Sequence, residues 1–446
     1  MMREALEAQL NDLRADVRRE ALEALVDMAA RGDIALPAPR AVVNLHCHTS
    51  FSYNGYGWSP SCIAWKARVE GLLVVGVVDF DVLDAVKEFL SAAALVGIRG
   101  CAGIETRVYV PAYAGKEINS PGEPGIAYHM GAGYVPGVSG DASLLARLKD
   151  IAQKRNKKML DRVNRVLDPV VVDYARDVVS LTPNGNATER HLCIAYDLKA
   201  RQLYPDDDSR ARFWSSRLGI DPGKIDAVLN KSPELQVLIR SKLMKAGGPG
   251  YTKPEGPEFP TLEQFNAFVL EAGALPTMAW LDGLSEAERD IEKLLDLMLD
   301  GGVTAVNIIP DRNWNIADPK LRKIKVDNLH KFVALARKHH LPVVVGTEIN
   351  AYGQRFIDEF KAPELQPLVE TFLDGAYVLY GHTVLQAHAR MGYLSRWARK
   401  QFLARRDRNA FFHKVGEIVQ PGRIHSLEPL KPAMSPGEVL EVCRKS

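Results

Sequence analysis

The sequence predicts an α/β fold built on a closed, largely parallel sheet. Three observations predict it. Short apolar runs alternate with helical segments from about residue 41 onward, several runs end in residues of metal-ligand type, and one long interruption separates 141 from 260. Strands that alternate with helices make βα units, whose sheet is covered on both faces. The apolar runs are AVVNLHCH, LLVVGVVDF, IRGCAGIETRVYV, IAYHMGAGYV, ALPTMAWL, TAVNIIP, PVVVGTEIN and GAYVLYG. Helical stretches between them include Pro60–Glu70, Val82–Leu95, Glu286–Leu299 and Lys325–His339. Seven or eight such units close into a barrel related to the TIM fold, which gathers its chemistry at the C-terminal ends of the strands.

Around this barrel, residues 41–140 and 261–395, the chain divides into three further parts. Residues 1–38 read as an amphipathic helix, with Leu6, Leu10, Leu13, Val17, Leu25 and Met28 at helical spacing and Gly32, Pro37 and Pro39 ending it. Residues 141–260 are helix-rich and charged (LARLKDIAQKRNKKMLDRVNRVL, DDDSRARFWSSRLG) and read as an insertion that covers one end of the barrel. Residues 396–446 form a basic helical tail whose charge run is read as a solvated face.

Composition excludes several classes. The 446 residues carry 57 basic and 55 acidic side chains, a formal charge of +2, so no global field draws the chain to nucleic acid or to a membrane. Five cysteines, Cys47, Cys62, Cys101, Cys193 and Cys443, are dispersed without CxxC spacing, which argues for a reducing compartment and against a disulfide scaffold or zinc ribbon. The opening residues mix acids and bases, unlike a signal or transit peptide. The most apolar stretch, 71–78, is too short to span a bilayer. A cytoplasmic protein without a membrane partner is expected.

The chemistry sits at the ends of the runs. His46 and His48 form an HxH on the first, and strand alternation points both imidazoles to one side with Cys47 opposite. Two neutral imidazoles at a strand end are a common start to a metal site. Glu105 closes CAGIE, His129 closes IAYH and Glu348 closes VVVGTE. A charged group there is costly to bury unless it is paired or bound to metal. Convergent strand ends of this kind favour a metal centre over coincidence.

The order of these segments resembles that of the polymerase-and-histidinol-phosphatase (PHP) phosphoesterases. NLHCHTSFSYNG is similar to their HxHT opening, GVVDFDVLDAV to the TDHDT segment, GIETRVYV to the GIE segment and YHMGAGYV to the second histidine motif. ATERHLCIAYDLKA resembles the family's TRPHIAxxL segment inside a helical insertion. AGALPTMAWLDG stands in place of the run ending in AHPG, and VVVGTEINAYG in place of GSDxHG. The resemblance covers roughly residues 41 to 355 and lies nearest the branch of nucleoside-phosphate phosphatases and short-RNA 5′-exonucleases. It implies a distorted TIM-like (β/α)7 barrel with a helical insertion.

By the same resemblance, His46, His48, Glu105 and Glu348 hold a first divalent metal, and Glu105 and His129 a second. The AHP histidine of that second site is absent, because Trp280 occupies its place, and Asp282 is the nearest substitute. A third site is lost altogether, since Asn54, Phe80 and Asn350 stand where its ligands belong. One or two ions of Mn, Zn or Fe per chain are therefore expected. Arg190 and His191 match the family's anion-binding positions, and both are expected to contact substrate and take part in catalysis. Arginine suits phosphate because its planar fork gives paired, charge-assisted hydrogen bonds.

The leading expectation is a metal-dependent phosphoesterase that hydrolyses a small phosphorylated metabolite or nucleotide. Nucleic acid beyond short oligonucleotides is not an expected partner, and a homo-oligomer is compatible with the sequence. Two alternatives remain open at this stage: a one- or two-metal barrel enzyme acting on a non-phosphorylated sugar or sugar acid, and a non-catalytic binding module.

Overall fold

The computed structural model of the chain describes residues 2–138 and 140–445. Seven strands lie in one sheet in sequence order: β1 (Val43–Cys47), β2 (Val74–Phe80), β3 (Arg99–Tyr109), β4 (Ile126–Ala132), β5 (Leu275–Trp280), β6 (Ala305–Ile308) and β7 (Val343–Val345). The segment after β7 returns to β1. Glu348 N donates to His46 O (2.7 Å) and His48 N to Glu348 O (2.8 Å), which nearly closes the sheet into a distorted TIM-like barrel. Gly346 permits this approach: a Cβ there would lie 2.4 Å from the Cβ and the amide nitrogen of His46. The strands are buried along almost their whole length, as expected of a sheet covered by helices.

One strand departs from the parallel expectation. β4 runs antiparallel to both β3 and β5. The connection from β3 to β4 spans only 110–125, contains Pro111, Pro121 and Pro124, and holds no crossover helix, only one 3-10 turn (Pro111–Tyr113). A parallel pair needs a crossover of a dozen or more residues, usually helical, whereas a hairpin-like return reverses the strand. The consequence is that β4 brings its first residues, not its last, to the end of the barrel where β3 finishes.

The run GAYVLYG is not a strand. It lies in the helix Val369–Ala389, in which Gly375, Ala376 and Val378–Gln386 are all buried. A helix buried on most of its faces has no polar stripe to reveal its period, so it reads like a buried strand. The N-terminal helix is likewise two, Met2–Gln9 and Ala15–Ala30, broken where Ser59 Oγ donates to Leu10 O and Ser59 N donates to Asn11 Oδ1. The basic tail folds as the helices Arg396–Gln401, Arg405–Ile418 and Pro436–Arg444, joined by shorter turns. It is not merely a solvated face, because Trp397, Phe411, Phe412 and Val415 belong to the barrel's core.

Between β4 and β5 the chain builds a second apolar core, from Met159 to Met244, including Trp214, Tyr196 and Ile239. The 26-residue helix Ala142–Leu167 links the two cores: Leu148 packs in the barrel and Met159, Leu160, Val163 and Leu167 in the second cluster. Among the described residues no helix is long and apolar enough to cross a membrane.

Candidate metal centre

A cavity of about 640 Å³ lies between the strand ends and the helical insertion. Its barrel side carries His46, Glu105 and Glu348, and its insertion side Arg155, Arg190, Arg240 and Lys245. Among the described residues, one group of three potential metal ligands has all its donor atoms within 4.8 Å of one another: His46, His48 and Glu105, all buried. His46 Nε2 and His48 Nε2 are 3.3 Å apart, and they lie 3.3 and 3.2 Å from Glu105 Oε2.

The hydrogen bonds behind the rings fix what those nitrogens present. Asn307 Nδ2 donates to Val344 O, which turns its Oδ1 to His46 Nδ1 at 3.0 Å, so Nδ1 is the donor. Ser52 Oγ gives its proton to Asp79 Oδ1 (2.5 Å) and so accepts from His48 Nδ1 (3.2 Å). Both rings therefore turn a bare Nε2 lone pair toward the Glu105 carboxylate. Asp79 is anchored in turn by Thr49 N (2.8 Å) and Thr49 Oγ1 (2.7 Å). Outer partners of this kind orient metal-binding imidazoles and set their tautomer.

Three lone-pair atoms facing one another need a cation among them. A tetrahedral ion with ligand bonds of about 2.0–2.1 Å needs donors roughly 3.3–3.4 Å apart. The observed 3.2–3.3 Å fits that requirement. Two imidazoles and one carboxylate suit zinc, iron or manganese, and three protein ligands leave a position open. Burial opposes a charge on His46, but the Glu105 carboxylate outweighs it and raises the pKa. Burial also works against the Glu105 charge, and the two histidines overcome it, holding the carboxyl at about 2.

The other expected ligands are elsewhere. Directly paired residues of adjacent strands share a face. Glu105 and Arg107 face the cavity opposite Met130 and Tyr128, and Tyr128 lines the cavity. His129 does not line the cavity and lies on the outer face, against the helix Leu262–Glu271. There its Nε2 meets Asn266 Oδ1 (2.8 Å) and its ring meets Phe265 edge-on (5.8 Å). The strand-end argument fails here because β4 is reversed. His129→Gln is thus expected to leave the metal content of the purified protein unchanged, as measured by elemental analysis; loss of metal would return His129 to the ligand set.

Glu348 stands beside the centre outside the triad, and its Oε2 accepts from Arg312 Nη2 (2.6 Å) and Asn350 Nδ2 (3.3 Å). It does so from a left-handed backbone, φ +62°, followed by Ile349 at +45°, which the return to β1 imposes. Asp282 pairs with Lys325 (2.9 Å) and accepts from Leu284 N, away from the triad. On β5 the position opposite Asn307 is Ala279, which lines the cavity without a ligand atom, while Trp280 stacks on Phe332 at 4.7 Å. No second cluster of ligands forms among the described residues.

The positions expected to have lost a third ion have other duties. Phe80 stacks on the His48 ring at 4.1 Å. Asn54 donates to His48 O and accepts from Tyr56 N and Trp58 N, pinning the loop after β1.

On the insertion, Arg190 and His191 part company. His191 is the third residue of the helix Glu189–Leu203, where its Nδ1 accepts from Thr188 N (3.1 Å) in a capping box. Burial holds its pKa down at about 4, so it is a neutral cap and does not line the cavity. Arg190 does line it, with its guanidinium 5.8 Å from the centre of the Tyr53 ring. Arg240 and Lys245 both pair with Glu189, and Arg155 reaches Glu123 at 3.5 Å. Arg190 has no hydrogen-bond or ion-pair acceptor among the described residues. Its fork is uncommitted.

Sequence reasoning passed over Asp79, Asp81, Arg155 and Arg312. Asp81 lines the cavity from a left-handed backbone (φ +62°), accepts from Thr106 Oγ1, and is pushed up by burial to about 6. The double acid of VVDFD was the available signal, one carboxylate behind the histidines and one in the cavity.

No family model matches the chain, and no curated protein matches it. The solved structures that are similar include two of known source. An amidohydrolase from Chromobacterium violaceum, with bound sulfate and no metal, is 16% identical over 74% of this chain and 96% of its own, with a TM-score of 0.47. A protein from Bifidobacterium adolescentis, provisionally named a metal-dependent phosphoesterase, is 17% identical over 76% of this chain and 98% of its own, with a TM-score of 0.46. Both scores fall below 0.5.

Proposed function

We propose that the chain is a metal-dependent hydrolase of phosphate esters, acting on a small phosphorylated metabolite or nucleotide. One observation carries the reading: a buried triad of His46, His48 and Glu105 with the donor spacing of a metal site, in a cavity that Arg190 faces with a guanidinium unpaired among the described residues. A bound divalent ion supplies Lewis acidity and a water acidified toward neutral pH. His46, His48 and Glu105 would hold it, and Asn307 and the Ser52–Asp79 pair keep both rings in the required tautomer. Arg190 binds and orients the phosphoryl group and offsets charge gathering on its oxygens. The helix it begins adds the partial positive charge of its N-terminus, since Thr188 and Glu189 also line the cavity. The insertion, in this reading, is a substrate cap that keeps bulk water from the reacting centre.

The reading places one ion in each chain and the protein in a reducing compartment, which suits five buried cysteines. The test is an assay of phosphate release from a panel of phosphomonoesters with Mn²⁺ or Zn²⁺, set beside lactone hydrolysis. Turnover of phosphate esters that a chelator stops is the expected result. Turnover of lactones alone would give the site to a non-phosphorylated sugar acid, and metal-free protein inert to both would make the barrel a binding module.

A further inference from the structure

The loops that follow β1 and β7 flank the metal centre, and they also meet at the cavity's edge. Gly55 N donates to Ile349 O (2.7 Å), and a Cβ on Gly55 would lie 2.3 Å from the carbonyl carbon of Ala351. Only glycine lets the two loops touch there. The contact sets Tyr56 beside Tyr352, with ring centres 5.4 Å apart and planes at 49°.

The pair is backed by a column of rings. Tyr56 stacks on Trp58 (4.8 Å, 21°), and Trp58 rests edge-on against Phe356 (5.4 Å). The Lys66 ammonium lies 4.6 Å from the centre of the Trp58 ring, and Tyr56 OH donates to Gln354 O (2.7 Å). The column is held from behind and open in front: Tyr352 is 60% exposed and Tyr56 36%. Its neighbours Ala351 and Gln354 line the cavity.

Rings left in water add little to the stability of a core. Rings held in a fixed orientation at the mouth of a reacting cavity offer area at small entropic cost. We propose that Tyr352, braced by Tyr56, is a stacking subsite for a planar aromatic group carried by the substrate's phosphate ester, a nucleobase or an aryl ring. This rests on the phosphoester reading, and it adds what the rest of the substrate must present. The phosphate faces Arg190 and the ring lies outward on Tyr352.

The test compares Tyr352→Ala and Tyr352→Phe with the parent on adenosine 5′-monophosphate, phenyl phosphate and glycerol phosphate, with metal bound. Stacking on an aromatic side chain commonly changes affinity by about tenfold or more. Tyr352→Ala should raise KM by that factor for the ring-bearing esters and leave glycerol phosphate unchanged, and Tyr352→Phe should match the parent. A loss confined to adenosine 5′-monophosphate assigns a nucleobase, and a loss with both assigns any aryl ring. Equal changes for all three esters, or none, overturn the subsite. If no ester is turned over, the phosphoester reading falls while adenosine alone still tests the platform. Its binding, followed by tyrosine fluorescence, must weaken about tenfold in Tyr352→Ala, and absent or unchanged binding overturns the proposal.

Discussion

Glu105→Gln and His46→Ala are each expected to empty the metal centre and to lower turnover by at least about a hundredfold, the upper end of what is lost when even an outer partner of a ligand is removed. Glu105 is the shared corner of the triad, within 3.3 Å of both ring nitrogens. An amide there keeps the shape but is a weaker ligand, and it removes the negative charge that makes two imidazoles and a cation compatible. The fold should survive, because glutamine fills the same volume and His46 then remains as a neutral ring on Asn307. His46→Ala removes a fully buried ring and carries a packing cost as well, so Glu105→Gln is the cleaner measurement. Glu348→Gln is the informative contrast. Its carboxylate is committed to Arg312, so most of the bound metal should remain. Elemental analysis with circular dichroism reads all three variants. Full metal content in Glu105→Gln would dismantle the centre, and metal loss in Glu348→Gln equal to that in Glu105→Gln would mean the Arg312 pair opens when the ion arrives.

The contrast between Glu105 and His129 shows how far the sequence could be read. Both close apolar runs, and only one faces the cavity. Strand period is legible in a sequence because side chains alternate with a period of two. Strand direction is not, since it depends on how the preceding connection folds. The prolines and glycines of 110–125 decide that β4 returns as a hairpin, which puts Tyr128 inside and His129 outside. The HxH of β1 needed no such knowledge, since its parity and its partner Glu105 lie on parallel neighbours of β2. The misplaced strand in 375–381 has the opposite cause: a helix buried nearly all round loses the polar stripe that would have given its period. His191 and Asp282 stand as candidates through the resemblance to the PHP motifs, and local bonds claim both, a helix cap in one case and Lys325 in the other. Asp79 and Arg312 act through partners distant in sequence, which no spacing reveals.

Arg190→Ala is expected to lower kcat/KM on phosphorylated substrates about a hundredfold without changing metal content. A hydrogen bond to a charged group is worth roughly 1.5–3 kcal/mol, or about ten- to a hundredfold and somewhat more. The upper end applies because nothing nearby replaces the lost fork. Arg240 and Lys245 share Glu189, and Arg155 and Arg107 share Glu123. Each of these groups would have to leave a carboxylate to reach the phosphate. Arg190 has no such partner among the described residues, and its helix start and the Tyr53 ring hold it over the cavity. Truncating it exposes no buried carboxylate, so stability should change little. Arg190→Lys keeps the charge and loses the paired geometry, and it should recover only part of the rate. If Arg190 contacts the phosphate equally before and during reaction, the loss falls on KM; if the contact tightens as charge moves onto the phosphoryl oxygens, it falls on kcat. Arg190→Ala protein as active as the parent on phosphate esters would remove the phosphate clamp from the site and leave the triad to a reaction on an uncharged substrate.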